Sequence, residues 1–132
     1  MNRIIATIAS AFLVAITASP IKLDADIPPL PPKVLSVQET IVKYATIYAA
    51  PEKELMVVAF CESGYNPKAV GDGGRARNIY QFHKPTFDSF SRLMGEHLDY
   101  NSYNDQTKLA AFIFANYPQY KNHWTCWTKN FS

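Results

Sequence analysis

The chain has little net charge of either sign. Thirteen Lys and Arg against eleven Asp and Glu leave +2 over 132 residues. That makes no case for nucleic acid, whose binding rests on a strongly basic surface. At most it favours approach to an anionic polymer such as a cell wall. Long apolar runs are missing as well. The stretch Ile4 to Ala18 is uncharged for fifteen residues, short of the roughly 20 that span a bilayer. His83, His97 and His123 stand apart without ligand spacing, so no metal site is expected. No Cys–His pair or Ser–His–Asp set assembles. The run Gly71-Asp72-Gly73-Gly74 lacks the trailing Lys-Ser/Thr of a phosphate loop, which removes nucleotides. No cofactor is expected, and no internal repeat is visible.

Cysteine is scarce too, and its scarcity is informative. Residues 1–25 read as a secretory signal or an N-terminal anchor: Arg3 precedes the short apolar core, and small residues follow it. Cleavage is expected after Ala18 or Ala25, and no cysteine lies near either site to take a lipid. In an oxidising compartment the two cysteines, Cys61 and Cys126, are expected to pair. Residues 26–35 hold Pro28, Pro29, Pro31 and Pro32, a stiff spacer. What remains, 36–132, is one domain of ordinary size. With 48% hydrophobic and 14% aromatic residues overall, the chain can bury a core.

Within 36–132 the periodicity is mostly helical. Ser36-Val37-Gln38-Glu39 is a capping box, and Val37, Ile41, Tyr44, Ala45 and Tyr48 continue as one apolar face. Ala50-Pro51 breaks it. Pro51 is expected at the first position of a second helix, with Glu52 and Glu54 at its positive end. There Leu55, Val58, Ala59 and Glu62 fall at i, i+3, i+4 and i+7, so a carboxylate shares the inward face with three apolar residues. Gly64 and Asn66-Pro67 end this helix. Desolvation raises a carboxyl pKa, and a Glu so raised acts as a general acid near neutrality. The bland alternative is a frayed helix end with Glu62 in water.

Further on, Lys68 to Ala76 reads as a turn between short extended segments, and Asn78 to Phe82 as a strand or the lip of a groove. Pro85-Thr86-Phe87 opens a third helix with Phe87, Phe90, Leu93 and Met94 inward and Gly95 at its end. His97 to Tyr103 is irregular. Asn104 is expected to cap a fourth helix, whose buried stripe is Leu109, Ala110, Ile113 and Phe114, and Pro118 ends it.

These residues resemble the lysozyme-like lytic transglycosylases and the resuscitation-promoting factors of actinobacteria. The likeness is carried, in order, by Cys61-Glu62-Ser63-Gly64, Gln81-Phe82, Thr86-Phe87, Gln106 with Ala110, and Trp124 with Cys126. It implies an α+β, predominantly helical, lysozyme-like fold with a small β-region beside a sugar-binding cleft. It further implies cleavage of the β-1,4 bond between N-acetylmuramic acid and N-acetylglucosamine in peptidoglycan. Glu62 matches the catalytic acid, Gln81 a cleft-lining glutamine, and Cys61–Cys126 the family disulfide. Ser63, Tyr80, Phe82, Tyr117 and Trp124 are the further candidates for sugar contact. Two departures stand out. The usual Gly-Leu-Met-Gln is here Asn78-Ile79-Tyr80-Gln81, and Tyr-Asn-Ala-Gly is absent, with only Asn116-Tyr117 nearby.

Glycosidases usually use two carboxylates. Asp72, Asp88, Asp99 and Asp105 are the candidates for a second, and each has a turn, surface or helix-start explanation. A single acid suffices for a lytic transglycosylase. A hydrolytic muramidase with an Asp partner, and a non-catalytic cell-wall-binding module, remain as alternatives. The expected partner is the glycan strand of peptidoglycan, met by a monomer that is secreted, periplasmic or otherwise in the cell envelope. Wall opening for a secretion machine or for an exiting phage reads the same at this level.

Overall fold

The computed structural model describes residues 13–20 and 30–132. The chain divides into two compact units, 1–32 and 33–132. In the first, the described residues 13–20 carry no helix or strand, and most of the expected export segment and part of the proline-rich spacer lie outside the described residues. None of the described helices is long and apolar enough to cross a membrane.

The second unit is mostly helical with a small antiparallel sheet, the architecture expected from the sequence. Helix α1 is Val37–Tyr48. Its capping box forms as read: Ser36 Oγ accepts from Glu39 N at 3.2 Å, and the Glu39 carboxylate accepts from Ser36 N at 2.9 Å. Helix α2 is Glu52–Ser63, with Pro51 one position earlier than expected, at the N-cap. Gly64 ends it at φ 61°, donating to Ala59 O and Phe60 O, a left-handed cap that suits glycine.

A sheet of order β1-β2-β3 follows, formed by β1 Val70–Gly71, β2 Ala76–Arg77 and β3 Phe82–His83. Val70 pairs with Arg77, Gly71 with Ala76, Ala76 with His83 and Arg77 with Phe82. The glycine run forms a 3₁₀ turn over Asp72–Gly74, and Asn78 and Gln81 bend the second connection at φ 69° and 51°.

Helix α3, Lys84–Met94, buries Phe87 and Ser91. Leu93, expected inward, is 56% exposed. Two residues past Ser91 the helix has turned by about 200°, and the inward place goes to Ser91, whose Oγ donates to Glu96 O and accepts from Leu98 N. Helix α4, Tyr103–Asn116, is capped by Ser102, whose side chain accepts from Asp105 N, and not by Asn104. Asn104 Oδ1 instead accepts from the Tyr44 hydroxyl across the α1–α4 contact. Gln106, Thr107, Leu109, Ala110, Ala111, Ile113 and Phe114 are all buried, so α4 is the core element. It meets α1, α2 and α3. A 3₁₀ segment, Pro118–His123, leads to the last helix, α5 Thr125–Phe131.

Candidate active site

The site begins with the end of α2. Since Leu55, Val58 and Ala59 are buried, Glu62 is carried against the protein and is half-buried. Burial pushes its carboxyl pKa up, against smaller downward effects from the Cys126 N–H and the Lys129 charge. The Cys126 N–H lies 3.4 Å from Glu62 Oε1. A disulfide between Cys61 and Cys126, with Cα atoms 5.8 Å apart, holds that contact. The covalent bond thus brings the start of α5 beside the acid.

Glu62 borders a cleft of about 410 Å³. The sheet forms its lip, through Asp72, Ala76, Gln81, Phe82 and His83. Gln81 holds a left-handed backbone that a long side chain adopts at a cost of about 1 kcal/mol. Its own amide offsets this by donating to Asn78 O at 2.6 Å and Ala69 O at 3.3 Å. Gly71 keeps the space for that amide, since a Cβ there would lie 2.5 Å from Gln81 Oε1. Aromatic rings also border the cleft: Phe90, Tyr120, His123 and Trp124. Trp124 is braced from behind, its Nε1 donating to Tyr80 O at 2.8 Å and its ring meeting Phe82 and Phe114 edge to face or tilted.

The lip is also braced from outside the cleft. The Tyr100 hydroxyl offers its proton to Phe82 O at 2.5 Å and Arg75 O at 3.1 Å, tying β3 to the residue just before β2. Asn78 Nδ2 donates to Asn101 O at 2.8 Å. Gln106, buried on α4, donates to Tyr100 O at 2.9 Å and so anchors the bracing loop to the core.

A family model for the transglycosylase SLT domain matches residues 39–128. The chain belongs to the transglycosylase SLT family. Members are lytic transglycosylases, lysozyme-like enzymes that act on peptidoglycan outside the cytoplasm. No curated protein and no solved structure matches the chain.

Not every residue singled out in the sequence borders the cleft of this SLT domain. Tyr80 is wholly buried and donates to Leu55 O, so its side chain cannot meet a ligand. Ser63 Oγ lies 2.9 Å from both Ala59 O and Ile79 O and ties α2 to the lip from within. Tyr117 packs against Phe90, Phe112 and Tyr120, and it is Tyr120 that reaches the cleft.

Of the carboxylates considered as a second group, only Asp72 borders the cleft. Arg75 Nη2 donates to its Oδ1 at 2.7 Å, and His83 Nε2 lies 2.8 Å from its Oδ2. The Arg75 bond, foremost, holds the Asp72 carboxyl below its ordinary value. Asp88 pairs with Lys84, while Asp99 and Asp105 accept backbone N–H groups near the start of α4. His83, Phe90, Tyr120 and His123 also border the cleft although no motif pointed to them, and Thr86 of the Thr86-Phe87 motif joins them. They come from segments that converge only in the fold.

Proposed function

We propose that Glu62 is the general acid and then the general base of this SLT domain, cleaving the β-1,4 bond between N-acetylmuramic acid and N-acetylglucosamine. The neutral carboxyl gives its proton to the glycosidic oxygen as the C1–O bond breaks. The muramic acetamido group stabilises the oxocarbenium-like centre. The carboxylate that remains takes the proton of the muramic 6-hydroxyl, and its oxygen closes on C1 to form a 1,6-anhydro ring. Glu62 ends protonated and no water is consumed. One observation carries the reading: a half-buried carboxyl, raised in pKa by burial, borders the cleft, as a group that must start neutral near pH 7 requires.

Asp72 supports a second reading, since it borders the same cleft. As an ionised partner it would make the enzyme a hydrolase. Against this, both of its oxygens already face donors from Arg75 and His83, which lowers their basicity toward water. Mass spectrometry of digested peptidoglycan separates the two. Anhydro ends carry one water less than reducing ends, and reducing ends alone would assign the hydrolase with Asp72 as partner. The reading includes export by residues 1–25, so the intact mass of the mature protein is expected to begin after Ala18 or Ala25.

A further inference from the structure

Behind the lip lies a second groove that the reaction does not use. It has a volume of about 310 Å³ and is bordered by Pro67, Lys68, Val70, Arg77, Asn78 and Asn101. The two grooves share one thin wall. Ala76 borders the cleft while its neighbour Arg77 borders the groove behind, because successive strand residues point to opposite faces. Asn78 is buried and satisfied, bonded to Asn101 O and Ile79 N, so the floor is already built. The polar atoms free to act are at the rim.

That rim is cationic. Among the described residues, no ion pair uses Lys68 or Arg77, and neither side chain makes a hydrogen bond. The other cations near the lip are matched: Arg75 with Asp72, and Lys84 with Asp88. Val70 borders the same groove, 58% exposed, two residues after Lys68 and paired in register with Arg77. A short apolar strip flanked by two positive charges, beside an Asn side chain, suits a short peptide with carboxylates and small apolar side chains. It does not suit a neutral sugar, which the cleft's rings serve.

We infer that this groove binds the acidic stem peptide that muramic acid carries on its lactyl group, so that a glycan in the cleft is gripped on both sides of the lip. The inference rests on the peptidoglycan reading of the cleft. Stem peptides contain free carboxylates and alanine methyls, the complement of Lys68, Arg77 and Val70. Exposed charge pairs are weak, so the groove contributes selectivity between peptide-bearing and bare glycan and not the bulk of the affinity.

The test uses the whole protein and the free stem tetrapeptide, L-Ala-γ-D-Glu-diamino acid-D-Ala, followed by amide chemical shifts. Shifts are expected at Val70, Arg77 and Asn101, weakening with salt. A Lys68→Ala/Arg77→Ala variant should bind about tenfold more weakly, each exposed pair accounting for about two- to fivefold. In turnover, that variant should lose a similar factor in kcat/KM on peptide-bearing glycan and nothing on glycan stripped of peptide by an amidase. Three results overturn the inference: no shifts at millimolar peptide, the same shifts from inorganic phosphate at equal concentration, or equal losses on both glycans. Undiminished cleavage by Glu62→Gln would instead remove the proposed chemistry, and the peptide titration would still decide the groove.

Discussion

At the scale of single residues, Glu62 carries opposed consequences for activity and stability. Its pKa is raised on folding, so the folded state holds the proton more tightly than the unfolded chain. The group's contribution to stability is then most favourable below the ordinary Glu pKa and is lost as pH rises through the folded value. Glu62→Gln is accordingly expected to raise the melting temperature at neutral pH, with the gain vanishing below about pH 4. The amide keeps an oxygen for the Cys126 N–H, but it has no proton to give, so activity should fall by about 10²–10⁴-fold. Wild-type activity should itself decline as pH rises through the folded pKa. A variant that lyses wall normally would dismiss Glu62 as the acid. Gln81 is a milder case. Gln81→Ala removes the amide, while Gly71→Ala pushes it aside because the new methyl meets Gln81 Oε1 at 2.5 Å. Both are expected to cost on the order of tenfold in kcat/KM, the worth of one hydrogen-bond-sized contact. If Gly71→Ala behaves as wild type while Gln81→Ala is impaired, the position of the amide does not matter.

At the scale of elements, the two-residue strands are too short to hold themselves in place. The lip owes its position to the loop before α4, through the Tyr100 hydroxyl on Phe82 O and Arg75 O. Tyr100→Phe keeps the ring against Phe87 and deletes only those bonds. It should destabilise by about 1 kcal/mol. The telling measurement is the kinetic split: KM for glycan should rise about threefold or more with kcat nearly unchanged, because Tyr100 does not border the cleft. Equal falls in kcat would mean that the strut also aligns Glu62. That Ser102 and not Asn104 caps α4 belongs to this scale too. Both residue types are good caps, but Asn104 lies inside the helix and its Oδ1 accepts from the Tyr44 hydroxyl instead.

At the scale of the whole molecule, α5 is latched to α2 twice. The disulfide closes a sequence separation of 65, worth about 4 kcal/mol in the chain-entropy account. Beside it, Glu54 on α2 accepts from Trp127 Nε1 at 2.7 Å and pairs with Lys121 at 2.8 Å. Lys121 is buried, against the Phe114 and Trp127 rings. Removing its partner leaves an uncompensated charge. Glu54→Ala is therefore expected to destabilise by about 3 kcal/mol, and reduction with Glu54→Ala to unfold the C-terminal part while either change alone does not. Hydrogen exchange of α5 reads this directly. Alkylation under denaturing, non-reducing conditions should add no groups, and uptake of two would rule out the bridge.

What the chain determined on its own is whatever a period of 3.6 residues or a capping rule can decide. The buried faces of α1 and α4, the stop at Gly64 and the inward turn of Glu62 all follow from neighbours within about seven positions. The cysteine pairing follows from there being no other partner. The family likeness, carried by short ordered motifs, was legible for the same reason. The border of the cleft was legible only in part. Gln81, Phe82 and Trp124 stand there as the motifs suggested, but His83, Phe90, Tyr120 and His123 come from separate segments. No local pattern tells Tyr120, which faces the cleft, from Tyr117, which faces Phe112, or shows that Tyr80 is sealed in the core. Those choices depend on how α4 and the 3₁₀ segment seat against the lip. Packing of elements distant in the chain decides such contacts, because a side chain faces whatever the fold leaves empty.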